Sequence, residues 1–430
     1  TTRTGVRVGA NRSVTVNVEL ALGNDTIIID DTAPPLIDAS GDALTHTIER
    51  GYMAKVPVPG TDFLNQVATT PGAGTDPLGV TIANSSSLES QYYIDGVNTT
   101  GLQYGNAGSS MLNDFIEEIE VISGGYHAEY GRSTGGVVNV ITRGGTNTWR
   151  GSVFAHLSPG VLRARAKDTP TSASSIDVNS NLSYDLDLGA DVSGPLIKDK
   201  LLFYVGLAPQ LSQTNVTRRV LSRTDCRVRQ ANGALSECRP DVADGYADGF
   251  ADVDPDTGFF ITQELERQAF SNRSAALSAL GKLDATLSED LYLQLSGSWN
   301  PQTAQQQGAY GRLADNRRQL VGATSDLALK GTARFFDAKT VIDGVLSWHR
   351  SAFDVDAAEA GQNALPRELL VGGNLGRWAL VGDESMAVAT GCADNTSSDR
   401  FPLIANCPDE GVGYALGGPG AIVHDRENRL

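Results

Sequence analysis

From Trp149 onward, apolar and polar positions alternate in long runs, the two-residue period of strands with one dry face and one wet face. Asn181 to Val192 is the clearest case. Leu182, Tyr184, Leu186, Leu188, Ala190 and Val192 fall on one side, and Ser183, Asp185, Asp187 and Asp191 on the other. The same division recurs in Leu291 to Trp299, Val321 to Phe335 (with Asp326, Lys330 and Arg334 on the wet face) and Thr340 to Arg350. Seven strands are predicted, over roughly 149–158, 181–194, 200–212, 272–287, 291–300, 319–336 and 340–352. Short turns at Pro195 to Asp199, Ser288 to Asp290 and Asp337 to Lys339 alternate with long polar connections at 159–180, 213–271, 301–318 and 353–430. A soluble sandwich also has amphipathic strands. Strict alternation of short and long connections is instead the asymmetry of an outer-membrane barrel, with short periplasmic turns and long outer loops.

Upstream the pattern differs. Residues 5–20 alternate through Val14, Val16, Val18 and Leu20, like the last strands of a β-domain, and both chain ends read as cut. Residues 21–60 carry Pro34, Pro35, Pro57 and Pro59 and little periodicity, so a tether is expected there, with one apolar run at Thr26 to Ile29. Residues 61–147 read as a compact mixed α+β domain. A short helix is expected at Asp62 to Ala68, a turn at Pro71-Gly72, and strands near Gln91 to Ile94, Ile119 to Ile122 and Gly136 to Thr142. Gly124, Gly125, Gly131, Gly135, Gly136, Gly144 and Gly145 imply tight turns between closely packed strands.

Composition narrows the function classes. With 34 basic and 51 acidic residues the formal charge is −17, which disfavours nucleic acid as a partner. No run of 18 apolar residues exists, so no membrane-spanning helix is expected, a restriction that leaves a barrel open. Cys226 with Cys238, and Cys392 with Cys407, form two local pairs in long polar segments without zinc-ligand spacing. They read as two loop-closing disulfides in an oxidising compartment.

Tyr93-Ile94-Asp95-Gly96-Val97, then Ile116 to Val121 with Glu118 and Glu120, then GGYHAEYGRSTGGVVNVITRGGTN from Gly124 to Asn147 (with Tyr130, Gly131, Gly135, Gly136 and Arg143) together resemble the plug domain of TonB-dependent outer-membrane transporters. The similarity is strongest to the Oar-like branch, whose members carry a carboxypeptidase-regulatory-like β-domain before the plug. Pro71-Gly72 stands at the family's Pro-Gly-Val turn, and Asp25-Thr26-Ile27-Ile28-Ile29 resembles the TonB box. The resemblance implies a mainly β chain in four parts: 1–20 the end of the regulatory-like domain, 21–60 the tether with its box, 61–147 the mixed α+β plug, and 148–430 the first seven or so strands of an incomplete antiparallel transmembrane β-barrel. It implies an outer-membrane receptor, loops outside and plug toward the periplasm. Its partners would be TonB, outer-membrane lipid and an extracellular ligand, with peptide, protein or glycan favoured. Departures exist. Ile82-Ala83-Asn84 stands where the family often has Ile-Arg-Gly, so the usual arginine tie from plug to barrel is absent.

Other constellations weigh less. Gly131 to Gly135 matches G-x-S-x-G, but Ser133 is followed by a strand pattern where a hydrolase elbow needs a helix, so no enzyme is expected. Asp248, Asp252, Asp254 and Asp256 before Gly258 read as a solvated acidic loop, with a bound calcium as the alternative and no other cofactor. Five scattered histidines form no metal set. The competing function is a secreted or surface β-rich adhesion or calcium-binding module without transport.

Overall fold

The computed structural model describes residues 43–430 except 127–129, 165–174, 226, 230–234, 238–248, 255, 312, 337–339, 360, 362–366, 371–372, 376–384, 410–413 and 419–422. Residues 1–20 and the box at Asp25 to Ile29 therefore lie outside the described residues, as do Cys226, Cys238 and Asp248.

The plug is built from β1 (Leu44–Glu49), α1 (Arg50–Met53), α2 (Phe63–Val67), β2 (Ala73–Asp76), β3 (Gly79–Ile82), β4 (Gln91–Ile94), β5 (Val97–Asn98), β6 (Ile116–Gly124) and β7 (Val137–Thr142). Five of these strands make one sheet in the order β1-β6-β7-β4-β5, in which only β4 and β7 run parallel. The β2–β3 hairpin stands apart. Helix α2 starts where the sequence pattern places it, because the Asp62 side chain accepts from the Leu64 N–H at 2.9 Å and caps the first turn. Phe63 and Val67 bury against Phe115, Ile116, Ile119, Val138 and Val140.

Within the expected tether of 21–60, residues 44–49 form β1 and pair with β6 of the plug sheet. β1 reads Leu-Thr-His-Thr-Ile-Glu and buries only Ile48, so it has no apolar stripe for periodicity to find. It is held by backbone pairing along β6, from Thr45 opposite Ile122 to Glu49 opposite Glu118.

The wall follows as β8 (Arg150–Pro159), β9 (Ile176–Ile197), β10 (Leu201–Arg223), a loop hairpin of β11 (Arg227–Arg229) and β12 (Leu235–Glu237), then β13 (Thr262–Ser288), β14 (Leu291–Gln307), β15 (Arg317–Phe335) and β16 (Thr340–Ala357). Four short loop strands come next: β17 (Arg367–Leu370), β18 (Gly373–Asn374), β19 (Pro408–Asp409) and β20 (Tyr414–Gly417). β21 (Val423–Arg429) returns to the wall. Eight strands form one antiparallel sheet in the order β21-β16-β15-β14-β13-β10-β9-β8.

The seven-strand expectation is thus one short. β21 pairs with β16 from Val423 opposite Val355 to Arg429 opposite His349, so the seventh strand is not the edge. Its sequence, Val-His-Asp-Arg-Glu-Asn-Arg, is polar on both faces and carries no two-residue hydrophobic signal. The same cause hides the outer ends of the other strands. β13 runs for 27 residues and β10 for 23, far beyond the 9–11 or so that cross a bilayer.

Side chains sort by face as the alternation requires. Leu188, Val192, Val205, Leu207, Leu283, Leu295, Trp299, Leu327, Leu329 and Leu346 are exposed on the outer face. In water so large an apolar band would be an anomaly; against lipid it is the solvated state. Facing inward, Tyr204, Ala208 and Leu280 join the plug core. No helix among the described residues is long and apolar enough to cross a membrane. At the ends of β9 and β10 and in the loop after β16, Ile176, Val220, Leu375, Val388 and a Cys392–Cys407 disulfide form a second buried cluster.

Candidate functional site: the interface between plug and wall

The Ile-Asp-Gly motif is a two-residue hairpin turn. Asp95 and Gly96 have φ of 48° and 81° and bring Ile94 opposite Val97, the twist that Asp-Gly turns supply. Glycine suits position 96 because of that φ, and it leaves room for the Lys330 side chain of the wall, whose Cε would stand 2.9 Å from a Cβ there. The turn also aims the Asp95 carboxylate, which accepts from the Thr142 N–H at 3.1 Å, from the Thr142 hydroxyl, and from Lys282 Nζ of β13 at 3.0 Å. Lys282 donates a second bond to the Thr142 carbonyl at 2.9 Å. Both charged side chains of this pair are at most 5% exposed. The attraction is therefore unscreened, and removal of either partner strands the other.

The reverse polarity dominates elsewhere. Inward-facing carboxylates on three wall strands each take a plug donor. Asp187 of β9 accepts from Thr61 Oγ1 at 2.5 Å, and Asp191 of the same strand from Arg143 Nη1 at 2.7 Å. Asp284 of β13 accepts from the Gly145 N–H at 2.8 Å, and Asp326 of β15 from Ser109 Oγ at 2.8 Å. Arg143 also lies over the Tyr204 ring, 5.1 Å from its centroid. Arg143 thus supplies a plug-to-wall tie that Ile82-Ala83-Asn84 does not; Ala83 and Asn84 instead take positive φ in a turn.

Asp326 is a junction. Besides Ser109 it accepts from Ser298 Oγ at 2.9 Å and contacts His349 Nδ1 at 2.6 Å, while His349 Nε2 is buried with no hydrogen-bond partner among the described residues. His349 therefore faces the plug, and Arg350, one residue on, faces outward, as alternation demands.

β21 grips the tip of the plug. Arg429 donates to the Asn98 side chain at 2.7 Å and the Thr100 carbonyl at 2.6 Å, and Glu427 accepts from the Leu102 N–H at 3.0 Å. Above this grip lies a cavity of about 400 Å³ between the 101–110 loop and the wall. Asp62, which caps α2, lines it; burial pushes its carboxyl up from the usual range, against hydrogen bonds from Ser110 and the Leu64 N–H that pull it down.

The remaining motif residues serve plug geometry. Gly72 turns with φ 78° and its carbonyl accepts from the Ala83 N–H after Pro71. Tyr130 packs edge-on to Tyr93, with centroids 5.4 Å apart, and Asn139 donates to Glu120 at 3.4 Å. Glu118 pairs opposite Glu49 in the sheet. A Cβ at Gly135 would collide with Ser85 and one at Gly136 with Ile82, while Gly131 has open space around it. Ser133 donates to the Gly136 carbonyl at 2.9 Å as a turn residue. Asp252 and Asp254 organise a turn closed by the Val253–Phe260 bridge, with the Asp256 N–H donating to Asp254 at 3.0 Å. Among the described residues no three carboxylates, histidines or cysteines gather to hold a metal.

Sequence patterning singles out Asp187, Asp191 and Asp326 as wet-face residues but not as plug ligands. Lys282, Asp284 and Arg429 escape it. A lone charge on the lumen side of a strand is the available signal for Lys282 and Asp284, and nothing in the sequence marks Arg429.

A Gly-rich sheet suspended across an amphipathic wall by buried polar ties defines the class of plugged outer-membrane receptors. Residues 54–138 match the family described as TonB-dependent Receptor Plug Domain. The chain is 29% identical to the TonB-dependent transporter Oar of Myxococcus xanthus over 462 aligned positions, covering 97% of this chain and 40% of that protein. It thus spans about 40% of the length of the curated relative it matches. The crystal structure of the outer membrane transporter YddB from Escherichia coli shares the fold, with TM-score 0.50 and 12% identity over 73% of this chain and 40% of that one. The chain carries the plug domain of TonB-dependent receptors with part of their barrel, in the Gram-negative outer membrane with the plug toward the periplasm. These relatives are transporters and receptors, not enzymes, and a surface module without transport is not favoured.

Proposed function

We propose that this chain binds an extracellular ligand above the plug tip and imports it when TonB pulls on the segment Asp25 to Ile29. Residues 1–20 would be the end of a regulatory-like domain in front of that segment. The supporting observation is that the plug is held by discrete polar ties from Asp95, Arg143, Thr61 and Ser109, bonds that can be broken and remade singly, so a tether can draw the plug aside without unfolding the wall. TonB would add the box strand to a sheet edge, a grip made by backbone hydrogen bonds. Ile28→Pro removes one donor from that strand. A photo-crosslinker at Thr26 should capture TonB in cells, and Ile28→Pro should abolish the adduct; an undiminished adduct would refute the box. Lipid forbids open strand edges, so β8 and β21 require further pairing partners to close the barrel.

A further inference from the structure

Around Arg143, two buried polar atoms of complementary kind stand close without bonding. Asp191 of β9 and Tyr204 of β10 both face the plug. Gly206 is opposite Asp191 and Ser193 is opposite Tyr204, so the two side chains are diagonal neighbours on one face of the strand pair. Asp191 Oδ2 accepts twice, from Arg143 Nη1 at 2.7 Å and from the Ser152 hydroxyl of β8. Asp191 Oδ1 is buried and accepts nothing among the described residues. The Tyr204 hydroxyl is buried in the plug core and has no hydrogen-bond partner among them either. Arg143 touches both groups. Its guanidinium lies over the Tyr204 ring, 5.1 Å from the centroid, and its backbone N–H is fixed to the Phe115 carbonyl at 2.9 Å.

A carboxylate oxygen has lone pairs to accept with and a phenol has one O–H to donate; left unmade in an enclosed site, each bond costs free energy. Diagonal pairs across two strands lie within reach of an aromatic side chain. Docking of Arg143 therefore satisfies one oxygen of Asp191 and leaves the other, with the Tyr204 hydroxyl, unmet. We infer that Tyr204 is the standby donor for Asp191. When Arg143 withdraws, the phenol O–H turns to Asp191 and the wall recovers part of the bonding that the plug gives up. Arg143 and Tyr204 thus compete for one carboxylate, and the arginine tie is easier to release than its ion pair alone would make it. Asp95 differs, since its Oδ1 is taken by the Thr142 N–H and Lys282 and its Oδ2 by the Thr142 hydroxyl, which leaves neither oxygen open to a substitute. The inference rests on the reading that the plug is drawn aside in transport, and it gives Tyr204 a part in that step.

The test is hydrogen exchange on the native full-length protein in detergent, read at the Gly145 amide. That N–H donates to Asp284 of the wall at 2.8 Å and becomes exchangeable when the boundary opens. Tyr204→Phe keeps the ring beside Arg143 and removes only the hydroxyl. The docked state then loses an unmet polar group and the opened state loses its substitute bond, so exchange at Gly145 should slow about tenfold. A side chain that only packs gives unchanged or faster exchange, and either result overturns the inference. With Arg143→Met in place, the Tyr204–Asp191 bond should exist before and after opening, so adding Tyr204→Phe should no longer slow exchange. A slowing of the same size without Arg143 would show that the two do not compete. The TonB adduct at Thr26 is read separately, so its absence would refute the transport reading while the exchange result still decides the role of Tyr204.

Discussion

Single residues on this chain are best understood through what they leave behind when removed. Lys282 and Asp95 face each other across the plug boundary with almost no water. Lys282→Met should destabilise plug docking by roughly 3–5 kcal/mol, because a buried carboxylate loses its counter-charge. Lys282→Met with Asp95→Asn should recover much of that, and a double-mutant cycle on guanidinium-induced plug release checks it; additive losses would contradict the pairing. Asp76 sits in the β2–β3 turn, where bonds from the Ser87 N–H and hydroxyl, then from the Leu78 and Gly79 N–H groups, hold its carboxyl down at about 2. A depressed carboxylate stabilises above its unfolded pKa of about 3.9 and loses that contribution as pH falls toward its folded value. Protection of the Ser87 amide, corrected for intrinsic exchange, should therefore drop between about pH 4 and about pH 2. Asp76→Asn should flatten that pH dependence.

Elements are legible where their two faces differ and illegible where they do not. The centres of β9, β13, β14 and β15 alternate strongly and emerge from pattern alone. β1 and β21 lack a two-residue apolar stripe and are held by backbone pairing with β6 and β16. Close approach between elements is equally invisible in a pattern. Gly206 of β10 lies against the Phe115 ring, and a Cβ there would stand 2.7 Å from its Cε1. Gly206→Val should overpack this contact by about 1–3 kcal/mol and raise the rate of tryptic cleavage in the plug. Phe115→Leu in the same chain should return part of the protection.

At the scale of the whole molecule, an apolar outer face and a polar inner one make the wall a membrane object. The native protein should require detergent for extraction and migrate faster unboiled than boiled, since a closed barrel resists dodecyl sulfate until heated. Its intact mass should accommodate partners for β8 and β21. A protein that washes from membranes in salt would contradict the lipid assignment of Leu188, Leu207, Leu327 and Leu346.

Sequence by itself determined the strand-rich class, the face each strand turns to lipid, the helix at Asp62 and the Gly turns of the plug. Each is a local property, written in side-chain period or in residues that alone tolerate a given φ. Which lumen charges meet the plug was decided by tertiary structure. Asp95 with Lys282 is separated by 187 positions, Ser109 with Asp326 by 217 and Asn98 with Arg429 by 331. Such pairs obey no period. They follow from strand register and the depth at which the plug sits, and the buried charges there are tolerated only because the fold supplies a partner for each.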